Sequence, residues 1–595
     1  MKNSRMEMEQ LSYRNDKEAG LSIDVAVIGG GISGLYAGYR LLSGTYGGDS
    51  QPPESIHIFE GDDRIGGRLQ SIELPDMNVT GELGGMHYDT SHQITATLIE
   101  DIFQLDHTPF PSGDPAEYTY YLRGQHFKGS DWIDAQKRGE RLDVPYNLRE
   151  TDKGFRFDQL LHKIVYHVLM ADPWFVANYG DRIEKVNDYE YAFRLTASQW
   201  DDINVNWTYH QEGSPFYGMK VRDIGFWNLI KDQAGQEGYA FIADTEGYYS
   251  NTMNWNAAVA VSYMIGSDGE GTYRTMTSGY DQIAYSLAKD FTDSQGAQLW
   301  TGNRLETFTK ATDSPRRYRL TFYNTEEQAY WTVDADSIIL AMPKRSLELL
   351  DRNSYFFQSD AAPMLNQNID TVFSIPSFKL LMGFTYPWWK EDHGIEEGKA
   401  STDLPMSQCY YFGTDPSNNH SLLLASYNDL STVPYWNALI QYEGEQESAG
   451  AASPDRTGAS SYSAAAEKDR GLLVKEPHTL PGEKAPKHVV DEARSQLSEV
   501  HGNHVPEPYT ARIKDWSRAP YGGGYHNWRT GVAMEAVMPF MRHPLPHEAI
   551  HIVGDAYSGK QGWIEGAFCE TEKMLQESYH LQWPTWLSTS YYLGF

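Results

Sequence analysis

A glycine-rich turn near the start of the sequence places the strongest constraint on the fold of this 595-residue chain. Residues 23–28 (IDVAVI) form a short apolar run rich in β-branched side chains, which predicts a buried parallel strand. Gly29, Gly31 and Gly34 follow this run as G-x-G-x-x-G, and a helical pattern extends over residues 33–42. A strand, a glycine turn and a helix in this order are typical of a dinucleotide-binding unit.

Each glycine of the turn has its own physical role in binding a pyrophosphate. Gly29 permits the tight turn, Gly31 allows the backbone to approach the phosphates, and Gly34 allows the helix to pack closely on the strand. Ser33 lies at the start of the helix, where free N–H groups and the helix dipole favour a phosphate. These four residues are predicted to form the phosphate end of a cofactor site.

The second strand of the unit ends in an acidic residue. Residues 55–59 (SIHIF) predict a strand, and Glu60 follows it directly. A carboxylate at this position accepts hydrogen bonds from a ribose diol and repels a 2′-phosphate. Together these features predict a βαβ unit with a bound dinucleotide; the alternative is a glycine-rich turn without a ligand.

A second glycine pair lies just beyond Glu60, in the sequence R-I-G-G-R at residues 64–68. Gly66 and Gly67 let the backbone lie against a further phosphate or an isoalloxazine ring, and Arg68 follows them. Simple nicotinamide enzymes do not require such a pair. The sequence therefore favours FAD over NAD as the cofactor.

This order of motifs resembles the flavin-dependent amine oxidase superfamily, which carries G-x-G-x-x-G, a glutamate and then R-x-G-G-R. Residues near the C-terminus extend the resemblance: Gly554 and Asp555, followed by Gly562, Trp563 and Ile564 in Q-G-W-I-E-G-A. The resemblance implies that Asp555 meets the ribitol chain of FAD. It also implies that a helix beginning after Trp563 directs its N-terminus at the flavin pyrimidine, where the helix dipole stabilises negative charge.

The resemblance also bears on how FAD is attached. Some members of the superfamily link the flavin to a cysteine in P-Y-S-G-G-C-Y. The matching stretch here is P-Y-G-G-G-Y-H at residues 520–526, with Tyr525 in the cysteine position. Non-covalent FAD is therefore predicted, and a histidyl link through His526 is the alternative.

An apolar segment at residues 374–384 (SIPSFKLLMGF) carries a single lysine, Lys379. An unpaired lysine is costly to bury, which by itself suggests a functional role. The segment resembles the one that carries the lysine of the superfamily, which implies that Lys379 holds a water molecule against flavin N5. The alternative is a lysine whose stem lies along the apolar surface and whose ammonium reaches solvent.

Two further stretches resemble one subfamily, the L-amino acid oxidases, which include venom enzymes and molluscan defence oxidases. They are K-A-S-T-D-L-P at residues 399–405 and L-L-L-A-S-Y at residues 422–427. The resemblance implies that Tyr427 hydrogen-bonds the substrate carboxylate. It also implies that the carbonyl group of Gly562 receives the amine and that Trp563 forms part of the pocket wall.

One residue departs from the pattern of the family. The family has G-G-M-R or G-A-M-R where this chain has Gly84, Gly85, Met86 and His87. The missing arginine is a bidentate clamp for the carboxylate, whereas an imidazole offers one bond and is charged only when protonated. Four alternatives remain: His87 binds the carboxylate as an imidazolium, it is a polar residue of the pocket wall, another basic residue takes the place of the arginine, or the pocket accepts a different group.

The predicted fold class is α/β plus α+β. A discontinuous FAD-binding Rossmann-like domain is expected beside a mixed-sheet substrate domain and a helical domain. The predicted boundaries are 21–95, 270–345 and 545–583 for the FAD-binding domain, 96–125 and 346–544 for the substrate domain with a mobile insertion at 443–485, and 126–269 for the helical domain.

The expected reaction is oxidation of an L-amino acid with O2 and water to a 2-oxo acid, ammonia and hydrogen peroxide. Three alternatives stay open: a flavin amine or polyamine oxidase without carboxylate recognition, an amino acid 2-monooxygenase, and a flavoprotein that serves only in binding or redox scaffolding. The family resemblance also favours a homodimer.

Composition excludes several other classes of protein. The chain has 49 Lys and Arg against 81 Asp and Glu, a formal net charge of −32, so nucleic acid and anionic membranes are not expected partners. Two cysteines, Cys409 and Cys569, cannot form a disulfide framework or a cysteine zinc site, and the histidines lack the spacing of metal ligands. No metal is predicted. Because no apolar signal segment is seen, a cytoplasmic location is expected.

Overall fold

The computed structural model describes residues 20–266, 271–360, 362–440, 482–518 and 522–595. The predicted insertion at 443–485 falls almost entirely outside these residues. Its last part is described, and Glu483–Lys484 forms an edge strand. Residues 520 and 521 of the glycine stretch at 520–526 also lie outside the described residues, as does residue 270, the predicted start of the second FAD-binding segment.

The first of two large sheets has seven strands and is built around the strand Leu21–Ile28. This strand pairs in parallel with Ile56–Phe59 on one side and with Ala329–Leu340 on the other. Its end, residues 25–28, is buried, as is usual for a parallel sheet covered on both faces. The remaining strands of this sheet are Ala297–Trp300, Asn303–Lys310, Tyr318–Asn324 and Ile550–Ile552.

The predicted βαβ unit is present at the centre of this sheet. The helix Ile32–Ser43 follows the glycine turn, within a residue of the predicted 33–42. Near the other end of the chain, Ile550–Ile552 pairs in parallel with Ala329–Leu340. Distant segments of sequence therefore form one sheet, and the predicted α/β fold class is confirmed.

A buried ion pair joins the first helix to the last long helix, Ile564–Tyr579. The guanidinium of Arg40 donates to the carboxylate of Glu572 through Nε at 2.8 Å and through a terminal nitrogen at 3.0 Å. The hydroxyl of Tyr36 donates to the same carboxylate at 2.8 Å. Both charged side chains are almost fully buried, so each depends on the other for compensation.

The second large sheet has eight strands and is mixed. Its fully buried central strand, Ser377–Phe384, pairs antiparallel with Ser421–Asp429. In this register Lys379 lies opposite Tyr427. In sheet order the eight strands are Glu483–Lys484, Thr510–Asp515, Ser377–Phe384, Ser421–Asp429, Gln408–Thr414, Gly398–Thr402, Thr119–Leu122 and Gln125–Lys128.

Four smaller sheets complete the strands of the described chain. One joins Tyr88–Asp89, Tyr273–Met276 and His107–Pro109, and three are two-stranded pairs. The pairs are Ser71–Glu73 with Thr80–Glu82, Ile183–Lys185 with Tyr191–Phe193, and Val372–Ile375 with Tyr525–Trp528.

Many of the helices lie in the middle of the chain, between residues 129 and 265. The longest, Phe226–Glu246, is interrupted at Gly235, where φ is +76°. The other α-helices are Gln93–Ala96, Gly129–Lys137, Phe157–Ala171, Pro173–Tyr179, Ala197–Asn206, Tyr249–Thr252, Ala257–Ile265, Gln282–Thr292, Lys344–Leu349, Tyr355–Gln358, Ala362–Ile369, Trp388–His393, Lys487–His501 and Met534–Arg542. Among the described residues, no helix combines the length and the apolar character that crossing a membrane requires.

Candidate active site

A single cavity of about 1130 Å³ brings the predicted site residues together. It is bounded by the ends of the central strands of the first sheet and by the second sheet. All of the predicted residues except Gly34 line it: Gly29, Gly31, Ser33, Glu60, Gly66, Gly67, Arg68, Gly84, Gly85, Met86, His87, Lys379, Tyr427, Gly554, Asp555, Gly562, Trp563 and Ile564. Segments that are separated by hundreds of residues thus share one site.

The glycine turn has the geometry that a bound pyrophosphate needs. At Gly29 φ is +114°, and a Cβ atom would lie 2.4 Å from the carbonyl oxygen of Ala341. At Gly34 a Cβ atom would lie 1.9 Å from the carbonyl oxygen of Gly29, so this glycine lets the helix pack against the turn. At Gly31 a Cβ atom would meet only the Cα atom of Gly67, at 3.8 Å, and would otherwise enter open space.

Glu60 lies at the end of its strand and is held by main-chain donors. Its carboxylate accepts hydrogen bonds from the amide of Gly30 at 2.6 Å and from the amide of Asp62 at 2.8 Å. Burial raises the pKa of Glu60, and these two hydrogen bonds oppose the shift. Because each carboxylate oxygen accepts about two hydrogen bonds, the side chain keeps acceptor capacity for a ribose diol.

Arg68 and Asp555 form an ion pair that connects the two halves of the cofactor motif. One terminal nitrogen of Arg68 donates to Asp555 at 3.1 Å and to the carbonyl oxygen of Gly524 at 3.1 Å, and the other also donates to Asp555. The amide of Gly562 lies 3.4 Å from the same carboxylate. Burial opposes ionisation of Asp555, but Arg68 holds its pKa below the usual value.

Two helix N-termini open onto the cavity. The helix Ile32–Ser43 begins after Gly31, and the helix Ile564–Tyr579 begins after Trp563; residues of both first turns line the cavity. Free N–H groups and the helix dipole make both ends favourable for negative charge. One end suits a phosphate and the other suits the pyrimidine of a flavin.

His526 is a cavity residue whose polar atoms have no partner. The side chain is 1% exposed, and neither of its ring nitrogens has a hydrogen bond within the described part of the chain. Burial lowers the pKa of His526 to about 3, so the ring is neutral. A buried ring with two unsatisfied nitrogens beside Arg68 and Asp555 suits a polar ligand. Together with the open space at Gly31, this environment fits FAD.

Lys379 lies in the wall of the same cavity and is 1% exposed. Its ammonium donates to the carbonyl oxygen of Gly84 at 2.5 Å and to that of Glu82 at 3.3 Å, and lies 3.5 Å from the sulfur of Met86. Burial lowers the pKa of Lys379, and the nearby carboxylate of Glu82 opposes this shift. The side chain does not extend to outside solvent. The alternative in which the ammonium of Lys379 reaches solvent is therefore excluded.

His87 occupies an aromatic environment. Its ring centroid lies 4.5 Å from that of Phe110, 4.8 Å from that of Tyr273 and 5.4 Å from that of Trp563. Burial, together with the charge of Lys379, lowers the pKa of His87 to about 3. The imidazole is therefore neutral in this structure, which weighs against the predicted imidazolium clamp and favours a residue of the pocket wall.

Tyrosines form much of the wall around Lys379. The ammonium lies 4.4 Å from the ring centroid of Tyr427, and the ring of Tyr248 meets that of Tyr427 at 5.0 Å. Trp563 stacks with Tyr273 at 6.1 Å. Trp388 and Trp389, which follow Lys379 in the family-like segment, are buried in the hydrophobic core and do not line the cavity.

Several cavity residues carry no signal that the sequence motifs could have revealed. Glu246, Tyr248 and Tyr263 come from the helical middle of the chain, where no motif distinguishes them from ordinary core and surface residues. The helix Phe226–Glu246 packs against the strands Gly398–Thr402 and Thr119–Leu122 of the second sheet, and the helix Ala257–Ile265, which carries Tyr263, packs against that helix.

Comparison with known proteins agrees with this geometry. The family described as "Flavin containing amine oxidoreductase" matches residues 32–433 and 434–569, which is most of the chain. The structure is similar to that of putrescine oxidase, with a TM-score of 0.56 for the wild type bound to putrescine; 94% of this chain and 99% of that chain are covered, at 14% identity. This likeness concerns the fold.

Several named proteins are similar to this chain in sequence. Achacin of Lissachatina fulica is 25% identical over 95% of both chains, and Aplysianin-A of Aplysia kurodai is 24% identical over 95% of this chain and 91% of its own. An L-amino-acid oxidase of Mus musculus is 22% identical over 68% of this chain and 53% of its own. The chain therefore belongs to the flavin-containing amine oxidoreductases, with FAD as its cofactor.

Proposed function

We propose that the protein is an FAD-dependent oxidase that converts an L-amino acid, O2 and water to a 2-oxo acid, ammonia and hydrogen peroxide. One observation supports this most strongly: buried Lys379 and its cross-strand partner Tyr427 lie in the same cavity as the cofactor motif. The names of the relatives from Mus musculus and from several snakes and a fish support the choice of amino acid.

In this proposal the residues of the chain bind and orient the substrate. The hydroxyl of Tyr427 donates to the carboxylate, the carbonyl of Gly562 accepts from the amine, and Trp563 closes one side of the pocket. The ammonium of Lys379 positions a water molecule between itself and the cofactor. FAD, when bound, supplies the two-electron acceptor for the substrate C–H bond.

A flavin amine oxidase without carboxylate recognition is the second candidate. The neutral imidazole of His87, in place of a guanidinium, favours it, because an uncharged ring binds a carboxylate more weakly than an arginine does. The two candidates differ in one chemical requirement, the α-carboxylate of the substrate.

Anaerobic flavin bleaching across the standard L-amino acids and their decarboxylated amines tests the proposal. We expect at least one amino acid to bleach the flavin at least tenfold faster than its amine, because only the amino acid engages Tyr427. In a separate assay in air, the product should be a 2-oxo acid formed with one hydrogen peroxide per turnover. Bleaching by amines alone would establish the second candidate, an amide product with CO2 would indicate a monooxygenase, and a flavin that no substrate reduces would leave a binding protein.

Replacement of Tyr427 isolates the carboxylate contact. In Tyr427→Phe we expect the KM for the amino acid to rise about tenfold, because one hydrogen bond to a charged group is lost while the ring that packs near Lys379 remains. The KM of the decarboxylated amine should change less than twofold. Equal changes for both substrates in steady-state assays would show that Tyr427 does not contact the carboxylate.

A further inference from the structure

The helical segment at residues 197–266 gives one part of the cavity wall an acidic and aromatic character. Its cavity residues include two carboxylates, Asp201 and Glu246, and none of them is basic. They are Ala197, Trp200, Asp201, Glu246, Tyr248, Asn251, Ser262, Tyr263, Met264 and Gly266. A wall of this kind suits a positively charged ligand.

Glu246 is the last residue of the helix Phe226–Glu246, where the helix dipole disfavours a carboxylate. One carboxylate oxygen accepts from the side-chain amide of Asn251 at 2.9 Å, and the other accepts from the main-chain amide of Tyr248 at 2.7 Å. Both donors are neutral. They fix the orientation of the carboxylate without cancelling its charge, and each oxygen keeps capacity for another donor.

Lys399 is a lysine near this carboxylate, and it does not line the cavity. Its ammonium donates to the main-chain carbonyl oxygen of Glu246 at 3.4 Å. Burial lowers the pKa of Lys399, and the charge of Glu246 opposes this shift. Lys399 therefore compensates the charge of Glu246 in part, while its hydrogen bond goes to the main-chain carbonyl of Glu246 and not to the carboxylate.

Aromatic rings line the same cavity as Glu246. Tyr263 and Tyr273 both line the cavity and keep 41% and 44% of their surfaces accessible. Faces of such rings attract ammonium and guanidinium groups.

We propose that Glu246, with the surrounding tyrosines, binds a second cationic group of the substrate, so that the preferred amino acid has a positively charged side chain such as that of lysine, ornithine or arginine. This inference rests on the proposed function and adds the chemical class of the side chain. Glu246 would receive the distal cation while the α-amine lies near Gly562.

The test compares L-lysine with L-norleucine, which has a side chain of the same length without the ammonium. We expect the wild-type holoenzyme to have a higher kcat/KM for L-lysine, and Glu246→Gln to lower the lysine-to-norleucine ratio of kcat/KM about 30-fold, because a charge-assisted hydrogen bond is lost. A binding measurement without turnover supports the kinetics. In calorimetry, 6-aminohexanoate should bind the wild type more tightly than hexanoate, and Glu246→Gln should remove this difference.

Glu212→Gln is the matched control, since Glu212 is exposed, lies in the same helical segment and does not line the cavity. It should preserve the lysine-to-norleucine ratio. A wild-type ratio near one, or a ratio that Glu246→Gln leaves unchanged, would overturn the inference while amino acid oxidation still stands. If the diamine cadaverine is oxidised and L-lysine is not, the amino acid proposal fails while the role of Glu246 is supported.

Discussion

Lys379→Met is expected to reduce the rate of anaerobic flavin reduction by about 10³-fold while the protein stays folded and retains FAD. Methionine has nearly the length of lysine and no charge, so it fills the same space in the buried strand Ser377–Phe384. The variant loses the donor to Gly84 and the group that positions water. The yellow colour and the visible spectrum of the purified protein report whether FAD is still bound.

The expected rate loss distinguishes a catalytic lysine from a structural one. A merely structural Lys379 would affect thermal stability and FAD content together with activity. Lys390→Met is the control, because Lys390 is an exposed residue that follows the same strand and pairs with Glu396 at the surface. Stopped-flow reduction of Lys379→Met at the wild-type rate would contradict the proposed role and the water-positioning mechanism.

The cofactor side of the site could be predicted from the sequence because its requirements are local. Gly29, Gly31 and Glu60 lie at the ends of adjacent strands, and a parallel sheet brings such ends to one edge. The distant pair Gly554 and Asp555, which the family resemblance singled out, follows another strand of the same sheet. Short-range periodicity and strand-end chemistry therefore determine this half of the cavity.

The substrate side could be predicted only in part. Lys379 stood out because it interrupts an apolar strand, whereas Glu246 and Tyr263 lie in helices whose sequence does not reveal which face meets the cavity. The charge state of His87 also depends on three aromatic neighbours from other segments.

Two substitutions in the glycine turn are expected to separate cofactor binding from folding. Gly31→Val should lower the affinity for FAD by at least about 10³-fold and leave the fold intact. The new side chain would meet little protein, because the Cα of Gly67 at 3.8 Å is the only near contact, and the backbone angles at Gly31, φ −77° and ψ −178°, suit valine. Valine would instead occupy phosphate space, at the cost of about two charge-assisted hydrogen bonds.

Gly34→Ala should destabilise the fold itself by about 3 kcal/mol or more, because its methyl group would overlap the carbonyl oxygen of Gly29 at 1.9 Å and push the helix Ile32–Ser43 off the strand. FAD titration by fluorescence and thermal unfolding of the apoprotein measure the two effects separately. Since Gly34 does not line the cavity, the Gly34→Ala variant should lose FAD only to the extent that it unfolds. A stable Gly34→Ala apoprotein would contradict the packing role of Gly34. A Gly31→Val variant that binds FAD as tightly as the wild type would show that the turn does not hold the pyrophosphate in this way.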